Sequence, residues 1–410
     1  MLFFQTQTVS QVLQKMREQI EPLNEKITIF IEESLGMIVA DPLISAEYSP
    51  NFVRSTVDGY AVISSDTFGA SDTMPAYIKI KGSVQMGEET KMLLSMGETV
   101  YVPTGGMVPA GADAVCMIEY TENLNGLLNI YKQVAPMENC IQIGEDIVKG
   151  EIILQKGHRI RSQDIALLAS LGMKQVMVKK PPIVGYLSTG DEIVSYETSH
   201  LPIGKIRDSN VASIRAACKQ MNASFVYGGI VKDSEQDLLP ACQSLLDEVD
   251  LLVISGGSSV GERDYSYAVF NQLGKPGVYV HGISIKPGKP TLIGQIGKKP
   301  ILGLPGHPVS ASVIFEIFGK EMLRCLLGTY ENPLFTRRKA KILRNIPSQS
   351  GRTDYFRVQL VNENAEWIAY PVYGKSGVLN TLVKSDGLAV IPEEAEGVKA
   401  GEWVEVILLS

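Results

Sequence analysis

Between residues 181 and 330, four largely apolar runs recur: "PIVGYLS", "SFVYGGIV", "DLLVIS" and "KPILGLPG". Each gives way to a loop rich in glycine, serine, proline or acidic residues. Runs that stay apolar along their length read as strands buried on both faces. The stretches between them have helical spacing. "NVASIRAACKQM" carries apolar residues at 211, 214, 218 and 221, and Asn210 can cap it. "SEQDLLPACQSLLDEV" reads as a second helix, with Pro240 in its first turns, where a missing N–H costs least. "KPILGLPGHPVSASVIFEIFGKEML" gives a strand, a proline-glycine turn and a long helix. This alternation predicts an α/β fold built on a parallel sheet covered by helices on both faces.

The flanks have a different character, and 410 residues exceed what one core usually holds. Residues 7–45 read as helical, with Val9, Leu13, Met16 and Ile20 on one face and Asp41-Pro42 as a stop. Residues 51–140 contain short alternating stretches such as "AYIKIKGSV" and "ETVYVPT", which predict a small β-rich domain. The segment from Gly144 then turns helical, with Ser162 as N-cap and Gly172 as the stop. After about residue 330 the pattern is β again. "GLAVIPEEAEGVKAGEWVEVILL" reads as the closing hairpin of a small β domain.

A formal net charge of -7 argues against a nucleic-acid partner. Positive contacts to an anionic ligand must therefore be local. Five cysteines without a CxxC pair, together with four histidines, argue against a zinc site or a disulfide framework. The N-terminus has no basic segment ahead of its short apolar run, and no apolar stretch approaches the roughly 20 residues that span a bilayer. A cytoplasmic protein without membrane contact is expected.

In an open parallel sheet, ligands bind beyond the carboxyl ends of the strands. Four loops lie there. "LSTGDE" ends in Asp191 and Glu192. "SGGSSVGERD" is neither a P-loop nor a dinucleotide fingerprint. Its Ser255, Gly256, Gly257, Ser258 and Ser259 still offer backbone amides and hydroxyls to an anion, although a tight turn without a ligand uses the same glycines. "IKPGKPT" sets Lys286 and Lys289 either side of a Pro-Gly turn, as point charges suited to a phosphate or oxyanion. "GLPGHPVSAS" places Pro308 at a helix start, where N–H groups are left free. His307 beside it reads either as a ligand or base, or as a surface polar group. Asp208, Asp233 and Asp264 lie nearby. Each singly reads as a helix cap, Asp233 for the helix that follows it. Together with the lysines they suggest a phosphorylated ligand and a hard divalent cation.

These stretches, with others upstream, resemble the molybdopterin molybdenumtransferases, the family that includes the C-terminal domain of gephyrin. The matching segments are "VDGYAV" (57–62), "PTGGMVPAGADAV" (103–115), "GEDI" (144–147), "STGDEI" (188–193), "GGSSVGERDY" (256–265), "IKPGKP" (285–290) and "GLPGHPVSA" (303–311). Each is weak alone, but seven in the family's order are specific. The resemblance implies an elongated domain from 7–45 plus 144–180, a β-rich domain inserted at 46–143, an α/β molybdopterin-binding domain at 181–330 and a C-terminal β-barrel at 331–410. It also implies a homodimer.

The implied reaction inserts molybdenum from molybdate into adenylylated molybdopterin, with Mg2+ assisting and AMP released. Transient contact with the adenylyltransferase and with cofactor-accepting enzymes goes with it. By resemblance, Asp58, Thr104, Glu192, Asp233, Asp264, Lys286 and Lys289 carry the chemistry. Asp146, Pro305, Gly306, Pro308 and Ser376 join the residues of the 255–259 loop in binding substrate. Carboxylates repel molybdate, so Glu192, Asp233 and Asp264 are assigned to magnesium or to proton handling, and the lysines to the oxyanion. Asp58 and Thr104 also suit ordinary β-turns. His307 stands where the commoner form "LPGNP" has asparagine, Arg263 where a small residue is frequent, and Val57 where methionine is frequent. An adenylyltransferase or a nucleotide hydrolase shares the α/β part, but not the flanking motifs. A non-catalytic scaffold would be expected to lack some of the acids.

Overall fold

The structure, a computed structural model, describes residues 6–256, 265–329 and 336–409. Helix α1 (Val9–Gln19) opens it, with the Thr8 side chain accepting from the Gln11 N–H at 3.3 Å. The expectation of helix through residue 45 fails. Helical spacing ends at Ile20, Pro22 follows, and "KITIF" forms a strand over Lys26–Phe30 with alternating exposure. Its three successive β-branched residues, Ile27, Thr28 and Ile29, favour that state. The chain forms two compact units. One comprises Met1–Ile29, Gly36–Ile38 and Met177–Ser410, and the other Phe30–Leu35 and Val39–Val176.

The second unit is built on a six-stranded sheet. Its strands are β1 (Gly59–Val62), β2 (Ala76–Ser83), β3 (Glu98–Val102), β4 (Ala114–Met117), β5 (Thr121–Leu124) and β6 (Leu127–Ile130). They lie in the order β4-β1-β3-β2-β6-β5. Gly59 in β1 has no room for a side chain, since a Cβ there would meet the Cys116 carbonyl oxygen at 2.1 Å. The same unit holds α2 (Ser162–Ser170). Arg161, rather than Ser162, is its N-cap residue, and the Asp164 carboxylate accepts from the Arg161 N–H at 2.8 Å. Gly172 ends the helix with φ of 69°, the left-handed turn that glycine adopts most readily.

In the first unit lies the α/β sheet. It comprises β7 (Ile183–Thr189), β8 (Ser224–Val231), β9 (Leu251–Ser255), β10 (Pro276–His281), β12 (Leu292–Ile296) and β13 (Lys299–Leu304), with the two-residue β11 (Ile285–Lys286) set apart from it. The order is β8-β7-β9-β13-β12-β10. The first four strands are parallel, and β12 and β10 join antiparallel. Both faces are covered. Val184, Leu251, Val253 and Leu302 are buried against α3 (Ser209–Gln220), while Leu187, Leu252 and Ile254 are buried against α4 (Glu235–Glu248) and α5 (Tyr265–Leu273). Each such side chain contributes about 1.5–3 kcal/mol of burial. Pro240 is the sixth residue of α4, in its second turn.

Two further cap assignments change. Asp208, not Asn210, caps α3, accepting from the Val211 N–H at 3.1 Å. Ser234, not Asp233, caps α4, accepting from the Asp237 N–H at 3.2 Å. The long helix after β13 is α6 (Pro308–Ile314) continuing through a π-helical turn at Phe315–Gly319 into α7 (Lys320–Leu327).

The C-terminal sheet is built from β14 (Arg337–Ile342), β15 (Thr353–Glu363), β16 (Glu366–Pro371), β17 (Gly387–Ile391) and β18 (Trp403–Leu408). Their order is β15-β16-β14-β18-β17, and β17 pairs back onto β15, closing a five-stranded barrel. The expected closing hairpin is the antiparallel pair β17–β18. The short strand β11 lies outside the closed ring and pairs with β15 in parallel, Lys286 opposite Asp354. Among the described residues no helix is long and apolar enough to cross a membrane.

Candidate functional site

Two cavities open at the carboxyl ends of the parallel strands, and Pro290, Pro305 and His307 line both. The larger, about 1000 Å³, takes its charged lining from Glu192, Asp208, Asp233 and Arg207. The smaller, about 680 Å³, lies between this edge and the barrel. Its charged lining is Lys286, Lys289, Arg352, Arg357 and Lys375 against a single carboxylate, Asp354. In a chain of net charge -7, five cations in one cavity are a local reversal of sign.

The larger cavity is floored by strand ends. Ser188 Oγ, in β7, donates to the Asp208 carboxylate, and the Tyr227 hydroxyl in β8 reaches the same oxygen at 3.4 Å. Thr189 Oγ1 donates to Asp233 at 3.4 Å. Gly256 follows β9 with φ of 108°, and a Cβ there would fall 2.1 Å from the Thr189 carbonyl oxygen. Glycine at 256 is therefore required by close backbone approach. Its N–H donates to the Leu304 carbonyl at 3.2 Å. Gly306 and Pro308 line the same cavity, and Pro308 is the first residue of α6. The amide next to it is not free, because the Val309 N–H donates to the Ser376 carbonyl at 3.1 Å.

The smaller cavity is organised by Asp354, whose side chain is 2 % exposed. Lys286 Nζ lies 3.2 Å and Arg352 Nε 3.0 Å from its two oxygens. Gly288, in the turn between the two lysines, has φ of 108°, and a Cβ there would strike the Ile314 side chain at 2.4 Å. Burial lowers the Arg357 pKa from its ordinary value. Its guanidinium bonds the Gly374 carbonyl at 2.6 Å and the Thr381 hydroxyl, fixing the loop that carries Lys375 and Ser376. Reading the sequence missed Arg352, Arg357 and Lys375. A signal was present in "SGR" and "GKSG", small residues flanking a cation in a turn.

The structure thus brings Glu192, Asp233, Ser255, Gly256, Pro305, Gly306 and Pro308 to one cavity, and Lys286, Lys289, Pro305 and Ser376 to the other. Asp58, Thr104 and Asp146 belong to the other compact unit. There the Thr104 N–H donates to Asp58 Oδ1 at 2.9 Å, joining two of the singled-out residues from separate turns, one before β1 and one after β3. The Ser49 hydroxyl donates to Asp146 Oδ2 at 3.3 Å. Gly257, Ser258, Ser259, Arg263 and Asp264 lie outside the described residues.

Among the described residues no three His, Cys, Asp or Glu side chains gather as a metal cage. Mg2+ does not need one. It takes one or two carboxylates and keeps water and phosphate oxygens for the rest. Glu192 and Asp233, hard oxygen donors on one cavity, fit that requirement.

Three family models match the chain in succession. They are the MoeA N-terminal region (domain I and II) over residues 7–172, a probable molybdopterin binding domain over 185–325 and the MoeA C-terminal region (domain IV) over 339–409. The chain belongs to the MoeA family. Its MoeA relatives run almost end to end with it. A Methanocaldococcus jannaschii protein assigned to molybdopterin biosynthesis is 36% identical, over 97% of this chain and 96% of its own. The molybdopterin molybdenumtransferase of Haemophilus influenzae is 31% identical, over 97% and 98%. That of Bacillus subtilis is 30% identical, over 93% and 89%. A crystal structure of a molybdopterin biosynthesis MoeA protein from Pyrococcus horikoshii superposes with TM-score 0.87 at 29% identity, over 99% of this chain and 100% of that one. The MoeA fold is therefore shared along the whole length, α/β sheet and closed barrel included.

Proposed function

We propose that this chain is a molybdopterin molybdenumtransferase acting in molybdenum cofactor biosynthesis. It inserts molybdenum from molybdate into adenylylated molybdopterin and releases AMP. The observation that carries the reading is the pair of adjoining cavities, one lined by acids and strand-end hydroxyls, the other by five cations.

The division of charge matches the substrates. Molybdate is a dianion and is repelled by carboxylates. It belongs in the basic cavity, where Lys286, Lys289 and Arg352 meet it as donors. The adenylylated pterin lies across the shared wall, its phosphates toward Ser255 and the loops after β9 and β13. Glu192 and Asp233, together with Asp264, hold Mg2+ or handle protons. When bound, Mg2+ supplies positive charge to the phosphoanhydride oxygens as negative charge builds on the leaving AMP. His307, at the shared wall, stands between the oxyanion and the nucleotide. Asp58 and Thr104, hydrogen-bonded to each other across two turns, take part in the chemistry, and Asp146 and Ser376 contact substrate. The four-part division at residues 45, 143, 180 and 330, a homodimer, a cytoplasmic location and transient contacts with the adenylyltransferase and the cofactor-accepting enzymes complete the proposal.

The test is a reconstitution with adenylylated molybdopterin, Mg2+ and molybdate, following AMP release. AMP release that requires molybdate, and that drops at least tenfold in Lys289→Ala, supports the proposal. AMP-ester synthesis from free molybdopterin and ATP would make the chain an adenylyltransferase. Tight ligand binding with no turnover in either direction would leave it a binding protein.

A further inference from the structure

Asn210 carries no role in the reading above, yet it sits at the junction of the loops that reading depends on. It is the second residue of α3 and is 8% exposed. Its Nδ2 donates to Ser255 Oγ at 2.8 Å and to the Gly306 carbonyl at 3.0 Å. A side-chain amide has two N–H donors, and both are spent here. Ser255 ends β9 and Gly306 lies between β13 and α6, so one side chain ties together the loops that follow two neighbouring strands. All three residues line the larger cavity. Two residues earlier, Asp208 fixes the same segment by accepting from Ser188 Oγ and from the Val211 N–H. Asn210 thus stands on a braced stretch of backbone.

The chemistry gives the clamp a direction. Ser255 Oγ accepts from Asn210, and a hydroxyl that accepts through a lone pair keeps its own proton to donate. We propose that Asn210 is a positioning residue for the nucleotide end of the substrate. It orients the Ser255 O–H toward a phosphate oxygen and sets the spacing of the two loops around it. This rests on the transferase reading and names the contact through which that site holds its leaving group.

The experiment compares wild type, Asn210→Ala, Ser255→Ala and the double variant. Affinities for AMP with Mg2+ and for molybdate alone are measured by calorimetry, together with thermal unfolding. Each single variant is expected to weaken AMP binding about tenfold, the worth of one hydrogen bond to a charged group. Molybdate affinity should stay unchanged, and the double variant should lose no more than Asn210→Ala alone, because one residue acts through the other. Additive losses would overturn the proposal, as would parallel losses of AMP and molybdate affinity with a lowered unfolding temperature. Unchanged AMP affinity in Asn210→Ala would do the same. A wild-type chain that binds molybdate and not AMP would instead sink the nucleotide half of the transferase reading, and this proposal with it.

Discussion

Asp354 is a buried anion beside two cations that are half-exposed or less, and its environment gives it a definite energetic role. Removing one partner of a buried ion pair leaves the other poorly solvated. Because Lys286 and Arg352 keep part of their hydration, the penalty is discounted. Asp354→Ala should destabilise the protein by about 1–3 kcal/mol, read from chemical unfolding. At this scale the sequence was legible where chemistry is local. Lys286 and Lys289 announce themselves across a Pro-Gly turn, and Glu192 and Asp233 follow strand runs directly. Arg352 and Lys375 were marked only as cations among small turn residues and Arg357 lies inside β15, so the sequence did not single them out. Nothing in a single chain says which turn of a barrel faces which loop of a sheet. Asn210 was read as a cap because asparagine before a helical run usually is one. The neighbouring carboxylate took that place and left the amide to bridge two loops.

Elements were legible in proportion to how one-sided their environment is. Strands β7, β9 and β13 are buried along nearly their whole length, and continuous apolar runs say so. The strand at 26–30 alternates between exposed and half-buried, so it was absorbed into the preceding helical pattern. The antiparallel turn of the sheet at β12 and β10 has no sequence marker at all. Helix α2 yields a prediction of its own. Asp164, at its third position, is held well below the usual carboxylate range, first by the Arg161 guanidinium and then by His158 at 2.6 Å, against the burial that pushes the other way. A folded-state value below the unfolded one means that its contribution is complete above about pH 4. It is lost as pH falls from there toward the folded value. Asp164→Asn should therefore lower stability at neutral pH and flatten the acid limb below about pH 4, measured by unfolding at a series of pH values.

Over the whole molecule, the order of patterns was readable: α/β in the middle, β on either side. What was not readable is that β11, two residues inside the lysine loop, pairs with β15 of the barrel. That pairing has a consequence for how portable the pieces are. A fragment of residues 331–410 carries all five strands of the closed ring, yet it lacks β11 and Lys286, one of the two cations paired with Asp354. The strand edge at Thr353–Asp354 is then bare, and a bare edge invites pairing with another copy. Such a fragment should self-associate, read by light scattering as a mass above that of one copy. The barrel is thus not a cassette. A graft or fusion that respects the apparent border near residue 330 cuts through a shared hydrogen-bonded ladder, and recombination that exchanges this barrel for another must bring the lysine loop along with it.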